Sequence, residues 1–217
     1  MLNNIKAVLF DLDGTLIDSM WVWKQIDIDY LSPKNLEMPT DLQRKIEGMS
    51  MLETAKYFQK YFGITDDLET MMQTWNRMAM DTYSSQVNYK NGAEDFLKYL
   101  KKHNIKTGIA TSNSRELLQA VTSHLSLDKY IDCFLTGNEV AHGKPWPDIY
   151  LEVAKRLHVS PEQCLVFEDI IPGILSGKAA GMKVCAIYDD YSKDVIKEKQ
   201  EQADFYINDY TEIQTEE

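Results

Sequence analysis

The sequence predicts an α/β protein: a parallel sheet with a small all-α unit of four helices inserted near its start. Three observations predict it. From Gly92 onward, short apolar runs alternate with amphipathic stretches of ten or more residues, the spacing of βαβ units. The first apolar run, Ala7 to Phe10, is apolar at all four positions, as a strand buried on both faces must be. Between Ser19 and about Ser85 no strand pattern occurs, and helical spacing takes over. The expected organisation is a core of residues 1–17 plus 88–217 and a helical unit of residues 18–87.

Taken in order, the first strand stops at Asp11 and Asp13, with Gly14 and Thr15 behind them. Asp and Gly are poor strand residues, so the stop is abrupt. A first helix carries Met20, Trp21, Trp23, Ile26, Ile28, Tyr30 and Leu31 and ends before Pro33. Thr40 is placed to cap a second, which stops at Gly48. Ser50 followed three residues later by Glu53 is capping-box spacing for a third, closed by Gly63. Asp66 or Asp67 opens a fourth, from Leu68 to about Tyr83. Met and Trp residues crowd these helices, which first of all signals core packing.

The βα alternation then runs as follows. Helix Gly92–His103 leads to strand Lys106–Thr111, and helix Arg115–Leu125 to strand Cys133–Thr136. Helix Pro147–Leu157 leads to strand Cys164–Phe167, and helix Pro172–Ala180 to strand Lys183–Ile187. A Lys-rich helix from about Ser192 and an edge strand Phe205–Ile207 complete the order, and the acidic tail TEIQTEE is expected to fray.

Composition excludes several functions. With 23 basic against 34 acidic residues, the net charge of −11 leaves no basic stripe to displace the counterions of a nucleic acid. No apolar run approaches the ~20 residues of a membrane span, and the N-terminal run is too short for a signal peptide. Cys133, Cys164 and Cys185 each sit in or beside an apolar run, which predicts buried, reduced thiols on strands and fits a cytoplasmic protein.

Polar residues gather just past the C-terminal ends of the strands, the edge where open α/β sheets bind ligands. Asp11 and Asp13 follow the first strand; Thr111, Ser112 and Asn113 the second; Glu168 and Asp169 the fourth. Gly143-Lys144-Pro145 lies between the third and fourth. Each also has a plain structural reading. Thr111 and Ser112 suit the cap of a helix, Lys144 a solvated loop, and Glu168-Asp169 a turn before Pro172. Together they suit phosphoryl transfer, which needs a nucleophile, neutralisation of the phosphoryl oxygens and protonation of the leaving oxygen. A carboxylate nucleophile repels phosphate, so a hard cation and a lysine must stand between them.

The string Asp11-Leu12-Asp13-Gly14-Thr15 after a buried strand, with Thr111, Lys144 and Glu168-Asp169 in this order, resembles the four motifs of the haloacid dehalogenase superfamily across nearly the whole chain. The resemblance implies a Rossmann-like sheet of strand order 5-4-1-2-3 and a helical cap of the first type. It implies that Asp11 is the nucleophile and a Mg²⁺ ligand. Asp13 would be the general acid/base, with its backbone carbonyl a second ligand. Thr111, with Ser112, Asn113 and the N–H groups of Leu12 and Ser112, would bind phosphate. Lys144 would steady the nucleophile and the transferring group. Asp169 would ligate Mg²⁺, with Glu168 as co-ligand or behind it.

Within the superfamily the sequence is most similar to the β-phosphoglucomutase-like and phosphatase branch, whose fourth motif is followed by a Gly, here Gly173. Asp13 distinguishes it from the dehalogenases proper, which lack that acid. The cap stretch Glu47-Gly48-Met49-Ser50-Met51 offers no lysine for Schiff-base chemistry, although Lys45 lies nearby. Where the mutase has a histidine and an arginine over its substrate, this sequence has Trp23 and Met51. The expectation is therefore a Mg²⁺-dependent phosphatase of small phosphorylated metabolites. A sugar-phosphate mutase is the first alternative, and a non-catalytic phosphate-binding protein the second. Trp23, Gly48, Met49 and Met51 would form an adaptable apolar wall over the substrate. A monomer or weak dimer is expected, with the cap moving about linkers near Asp18 and Val87.

Overall fold

Residues 1–213 are described by the computed structural model. The strands are β1 (Ala7–Phe10), β2 (Ile17–Asp18), β3 (Asn88–Tyr89), β4 (Lys106–Thr111), β5 (Cys133–Thr136), β6 (Cys164–Glu168), β7 (Lys183–Ile187) and β8 (Phe205–Ile207). The helices α1 (Met20–Leu31), α2 (Leu42–Ile46), α3 (Met51–Phe62) and α4 (Leu68–Ser85) lie between β2 and β3. Then come α5 (Ala93–Lys102), α6 (Arg115–Leu125), α7 (Asp148–Leu157), α8 (Ile171–Ala179) and α9 (Ile196–Gln202).

Six strands form one parallel sheet in the order β5-β4-β1-β6-β7-β8. Counting only the strands of this sheet along the chain, the expected order 5-4-1-2-3 is present, and the sixth strand extends it at the edge beyond the fifth. The central place of β1 follows from its sequence, because only a strand without polar residues can be covered on both faces. Val8 and Phe10 pack with Phe96 and Leu100 of α5 and Leu117 of α6. Ala7 and Leu9 turn to the other face, against Tyr150 and Val153 of α7. Phe10 stacks on Phe167 at 5.4 Å, and Phe96 and Tyr210 close the cluster. Cys133, Cys164 and Cys185 are buried and unpaired on β5, β6 and β7, as their apolar surroundings require.

The inserted helices are set by local signals. Ser50 and Glu53 form the capping box, with N–H to side-chain bonds of 2.8 and 3.3 Å. Gly63 ends α3 in the left-handed region, and Asp67 rather than Asp66 caps α4. Trp75 packs edge-on against Tyr30 and Phe58 inside the bundle. Two expectations need correction. Thr40 does not cap α2, which is only five residues long and begins after an Asp41 whose side chain makes no capping bond. The Lys-rich helix begins at Ile196, behind a 3₁₀ stretch from Asp190 to Val195.

The linkers that join the helices to the sheet pair with each other. Ile17 lies opposite Tyr89 and Asp18 opposite Asn88 in an antiparallel ribbon. Two-residue strands carry no readable periodicity, so the sequence did not reveal this ribbon. The expected fraying of the tail is corrected in part. Asp209 caps a 3₁₀ turn over Tyr210–Glu212, and Ile213 is buried; residues 214–217 lie outside the described residues. Among the described residues no helix is long and apolar enough to cross a membrane.

Candidate active site

Asp11 continues the β1 ladder by one bond, its N–H donating to the Phe167 carbonyl at 3.0 Å. The chain then turns sharply. The Leu12 carbonyl accepts from the N–H groups of both Leu16 and Ile17, each at 3.0 Å. Gly14 has φ +78°, and a Cβ there would stand 2.5 Å from Asp169 Oδ2. The turn thus needs glycine for both its backbone and its neighbour. Tyr210 braces the loop from below, its hydroxyl donating to the Thr15 carbonyl at 3.2 Å.

Lys144 is buried and bridges two carboxylates, with Nζ 2.5 Å from Asp11 Oδ1 and 2.6 Å from Glu168 Oε1. Burial alone would lower its pKa, but the charges of Asp11 and Glu168 outweigh burial and raise it. Tyr150 also donates to Glu168 Oε1, at 2.5 Å. Thr15 donates to Asp169 Oδ1 at 2.9 Å. Burial raises Asp169 well above the usual carboxylate range, and the charges of Asp11 and Glu168 add to it. Burial likewise pushes Glu168 up to about 7, against the pull of Lys144. Gly173 allows the crowding, since a Cβ there would fall 2.0 Å from the Glu168 carboxyl carbon.

Carboxylate oxygens of Asp11, Glu168 and Asp169 lie within 4.8 Å of one another. Glu168 Oε2 is buried with no hydrogen-bond partner. Buried acids without compensating charge are costly, and an all-oxygen donor set suits a hard divalent cation such as Mg²⁺. The residues fit such an ion. The carboxylate of Asp13 is not in this cluster.

Asp13 instead meets three donors. Ser19 Oγ donates to Oδ1 at 2.6 Å, the Tyr83 hydroxyl to the same oxygen, and Asn113 Nδ2 to Oδ2 at 3.1 Å. Trp23 in turn donates to the Tyr83 oxygen at 2.7 Å. Burial raises the Asp13 pKa; these hydrogen bonds oppose it and the charge of Asp11 adds to it. Across the cavity, Ser114 caps α6 by accepting from the Leu117 N–H. That takes capping away from Thr111 and Ser112. The Thr111 oxygen accepts the Asn113 N–H at 3.0 Å, which leaves its own O–H to donate. Asn113 is engaged on both sides, through Asp13 and through the Ser114 N–H.

These groups face a cavity of about 160 Å³ between the sheet edge and the inserted helices. Asp11, Asp13, Thr111, Ser112, Asn113, Lys144 and Asp169 line it from below, and Trp23, Gly48, Met49 and Met51 from above. Leu12 is fully buried, and Glu168 lies beneath Lys144. Gly48, at φ +76°, comes so close to the core that a Cβ would meet Pro172 at 2.8 Å. Lys45 is not among the lining residues and pairs with Asp41 at 2.9 Å. The upper wall is not wholly apolar, because Asp27 and Gln43 share it. Sequence reasoning missed these, as it missed Thr15, Ser19, Tyr83 and Tyr150. Polar residues at helical spacing look like a solvated face, and nothing local marks which of them turn inward.

A sequence model of the haloacid dehalogenase-like hydrolase family matches residues 8–187. The chain is 33% identical to a phosphorylated carbohydrates phosphatase of Thermotoga maritima, over 82% of this chain and 83% of that protein. It is also 33% identical to a bifunctional riboflavin kinase/FMN phosphatase of Arabidopsis thaliana over 86% of this chain, but spans only 50% of that longer protein. Among solved structures, CbbY from Rhodobacter sphaeroides in complex with phosphate superposes with a TM-score of 0.86, covering 96% of both chains at 20% identity, a likeness of fold.

Proposed function

The chain belongs to the haloacid dehalogenase-like hydrolase family, among its phosphatases, and we propose that it hydrolyses small phosphomonoesters with Mg²⁺ through a phosphorylated Asp11. The observation that carries this reading is the bridge from buried Lys144 to Asp11 and Glu168, at the strand end where Asp169 converges. A free carboxylate oxygen of Asp11 attacks phosphorus, and the bond from phosphorus to the alcohol oxygen breaks. Asp13, whose pKa is raised by burial against the hydrogen bonds of Ser19, Tyr83 and Asn113, gives a proton to the leaving alkoxide. It then takes one from a water that attacks the acyl phosphate, which releases inorganic phosphate and restores Asp11. Lys144, the Thr111 hydroxyl and the N–H groups of Leu12 and Ser112 neutralise the phosphoryl oxygens. Asp11, Asp169, Glu168 and the Asp13 carbonyl would hold Mg²⁺, which would supply the positive charge an anionic nucleophile needs to approach an anionic phosphoryl group.

Residues 18–87 serve in this reading as a cap over a core of residues 1–17 and 88–217, moving about the ribbon of β2 and β3. The contact of Gly48 with Pro172 and the place of Met49 and Met51 on the cavity wall support it. A mutase must grip a second phosphate, and Lys144 is the sole cation among the described lining residues, which favours a phosphatase. A non-catalytic role is disfavoured because Asp11, Asp13, Lys144 and Asp169 are all present. The substrate is a small phosphorylated metabolite and the site of action the cytoplasm, in keeping with three buried thiols.

Asp11→Asn tests the proposal. It keeps the shape and removes the attacking charge, so turnover of every phosphate ester should fall by orders of magnitude with the fold retained. Activity within tenfold of the native enzyme, measured by phosphate release, would exclude the covalent route. Chelation that left activity intact would exclude the metal.

A further inference from the structure

The cavity has a second polar end that the phosphoryl chemistry does not use. Asp27, on α1, is 6% exposed and sits in the wall supplied by the inserted helices. Gln43 of α2 donates to its Oδ2 at 2.5 Å, and no other hydrogen bond to this carboxylate forms among the described residues. Trp75 of α4 lines the same wall. Unpaired buried polar groups are costly, so a cavity wall that keeps a carboxylate and an amide is fitted to a ligand that pairs them. Burial pushes the Asp27 carboxyl up to about 7, and the Gln43 bond offsets only part of that. A further hydrogen-bond donor beside it would relieve the cost.

The chemistry of the partner follows from the inventory. A carboxylate accepts, and an amide both accepts and donates. A hydroxyl group does both as well, so an alcohol carrying further hydroxyls satisfies Asp27 and Gln43 together. A second phosphate does not, because it would face Asp27 and Glu47 with no cation from the helices. An alkyl group would give Asp27 no donor beyond Gln43.

We infer that Asp27 and Gln43 form a hydroxyl-recognising subsite that selects small polyhydroxylated monophosphates over bisphosphates and over alkyl monophosphates. The inference rests on the phosphatase reading of the same cavity. It replaces the expected apolar wall, which discriminates weakly, with a hydrogen-bonding one, which rejects analogues lacking the hydroxyl strongly.

Glycerol 3-phosphate and n-propyl phosphate differ only in the two hydroxyls, so their ratio of kcat/KM isolates the subsite. With Mg²⁺ present, the native enzyme should favour glycerol 3-phosphate by at least about tenfold, the worth of a hydrogen bond to a charged group. Asp27→Leu and Gln43→Leu should each cut that preference by about tenfold or more, and Asp27→Asn, which keeps the volume, should cut it less. Gln43→Arg should raise the rate on glycerol bisphosphate relative to glycerol 3-phosphate. Melting curves separate misfolding from lost recognition, and the Asp27→Asn arm stands if Asp27→Leu unfolds. Equal native rates on glycerol 3-phosphate and n-propyl phosphate, or variants that slow both in parallel, would overturn the subsite. If p-nitrophenyl phosphate is turned over while the preference is missing, the subsite alone is wrong. If no ester is turned over, the phosphatase reading is wrong and the subsite falls with it.

Discussion

Asp13 shows how a single residue takes its chemistry from neighbours far along the chain. Tyr83, 70 positions away, and Asn113, 100 positions away, both donate to it. Tyr83→Phe removes a bond that holds the Asp13 pKa down, while burial remains to raise it. The apparent pKa for Asp13 in the profile of kcat/KM against pH should therefore move up, and an unmoved profile would exclude Tyr83 as its tuning partner. Asp13→Asn should slow glycerol 3-phosphate by ~10²–10⁴ and p-nitrophenyl phosphate far less, because nitrophenolate leaves without a proton. Equal losses on both would count against proton donation. Gly173 acts by absence. An added methyl group would collide with the Glu168 carboxyl, so Gly173→Ala should weaken Mg²⁺ binding by about 10–100-fold, the usual effect of disturbing the groups behind a ligand. Titration calorimetry would read it.

At the scale of elements, the turn between α2 and α3 carries both a structural and a proposed functional load. Ser50 caps α3 in the same turn that sets Gly48 against Pro172 and puts Met49 and Met51 on the cavity wall. Ser50→Ala should cost about 1 kcal/mol of stability, readable by denaturant titration. The larger effect should be on KM, because the turn loses its anchor. Met51→Arg places a cation where the wall has none. It should change relative rates among substrates, bisphosphates gaining most, while Mg²⁺ affinity and melting temperature stay nearly constant. An unchanged substrate profile for Met51→Arg, Met49→Ala and Trp23→His alike would show that this wall does not meet the substrate.

The whole molecule is poised between folding and charge. Asp13, Asp27, Glu168 and Asp169 all have pKa values raised by burial, with Asp27 and Glu168 at about 7. Without metal, the folded chain therefore holds protons that the unfolded chain gives up near ~4. The stability tied to these groups is complete below that range and is lost as the pH climbs through about 7. The metal-free protein should melt at a lower temperature at about pH 8 than at about pH 5. A divalent ion bound at Asp11, Glu168 and Asp169 offsets part of this, so the gain in Tm with Mg²⁺ should be larger at the higher pH. A gain that does not change with pH, or a metal-free protein more stable at the higher pH, would contradict the assignment of these groups. Asp27→Asn should flatten the metal-free dependence.

What the sequence determined by itself is what local physics encodes. An all-apolar run makes β1 a central strand, and Asp and Gly end it. Ser50-x-x-Glu53 caps a helix within four residues. Alternating strand and helix patterns require a parallel sheet, whose C-terminal edge gathers Asp11, Thr111, Lys144 and Asp169. Tertiary structure alone decided which polar side chains meet there. Thr15 reaches Asp169 across 154 positions, Tyr150 reaches Glu168 from a helix whose pattern reads as core, and Gln43 reaches Asp27 from the short α2 to α1. A hydrogen bond depends on distance and angle in space, to which the identity of one residue and its neighbours in sequence contributes almost nothing. The apolar pattern therefore specifies the scaffold, whereas the composition of the cavity wall emerges only when the helices are packed over the sheet.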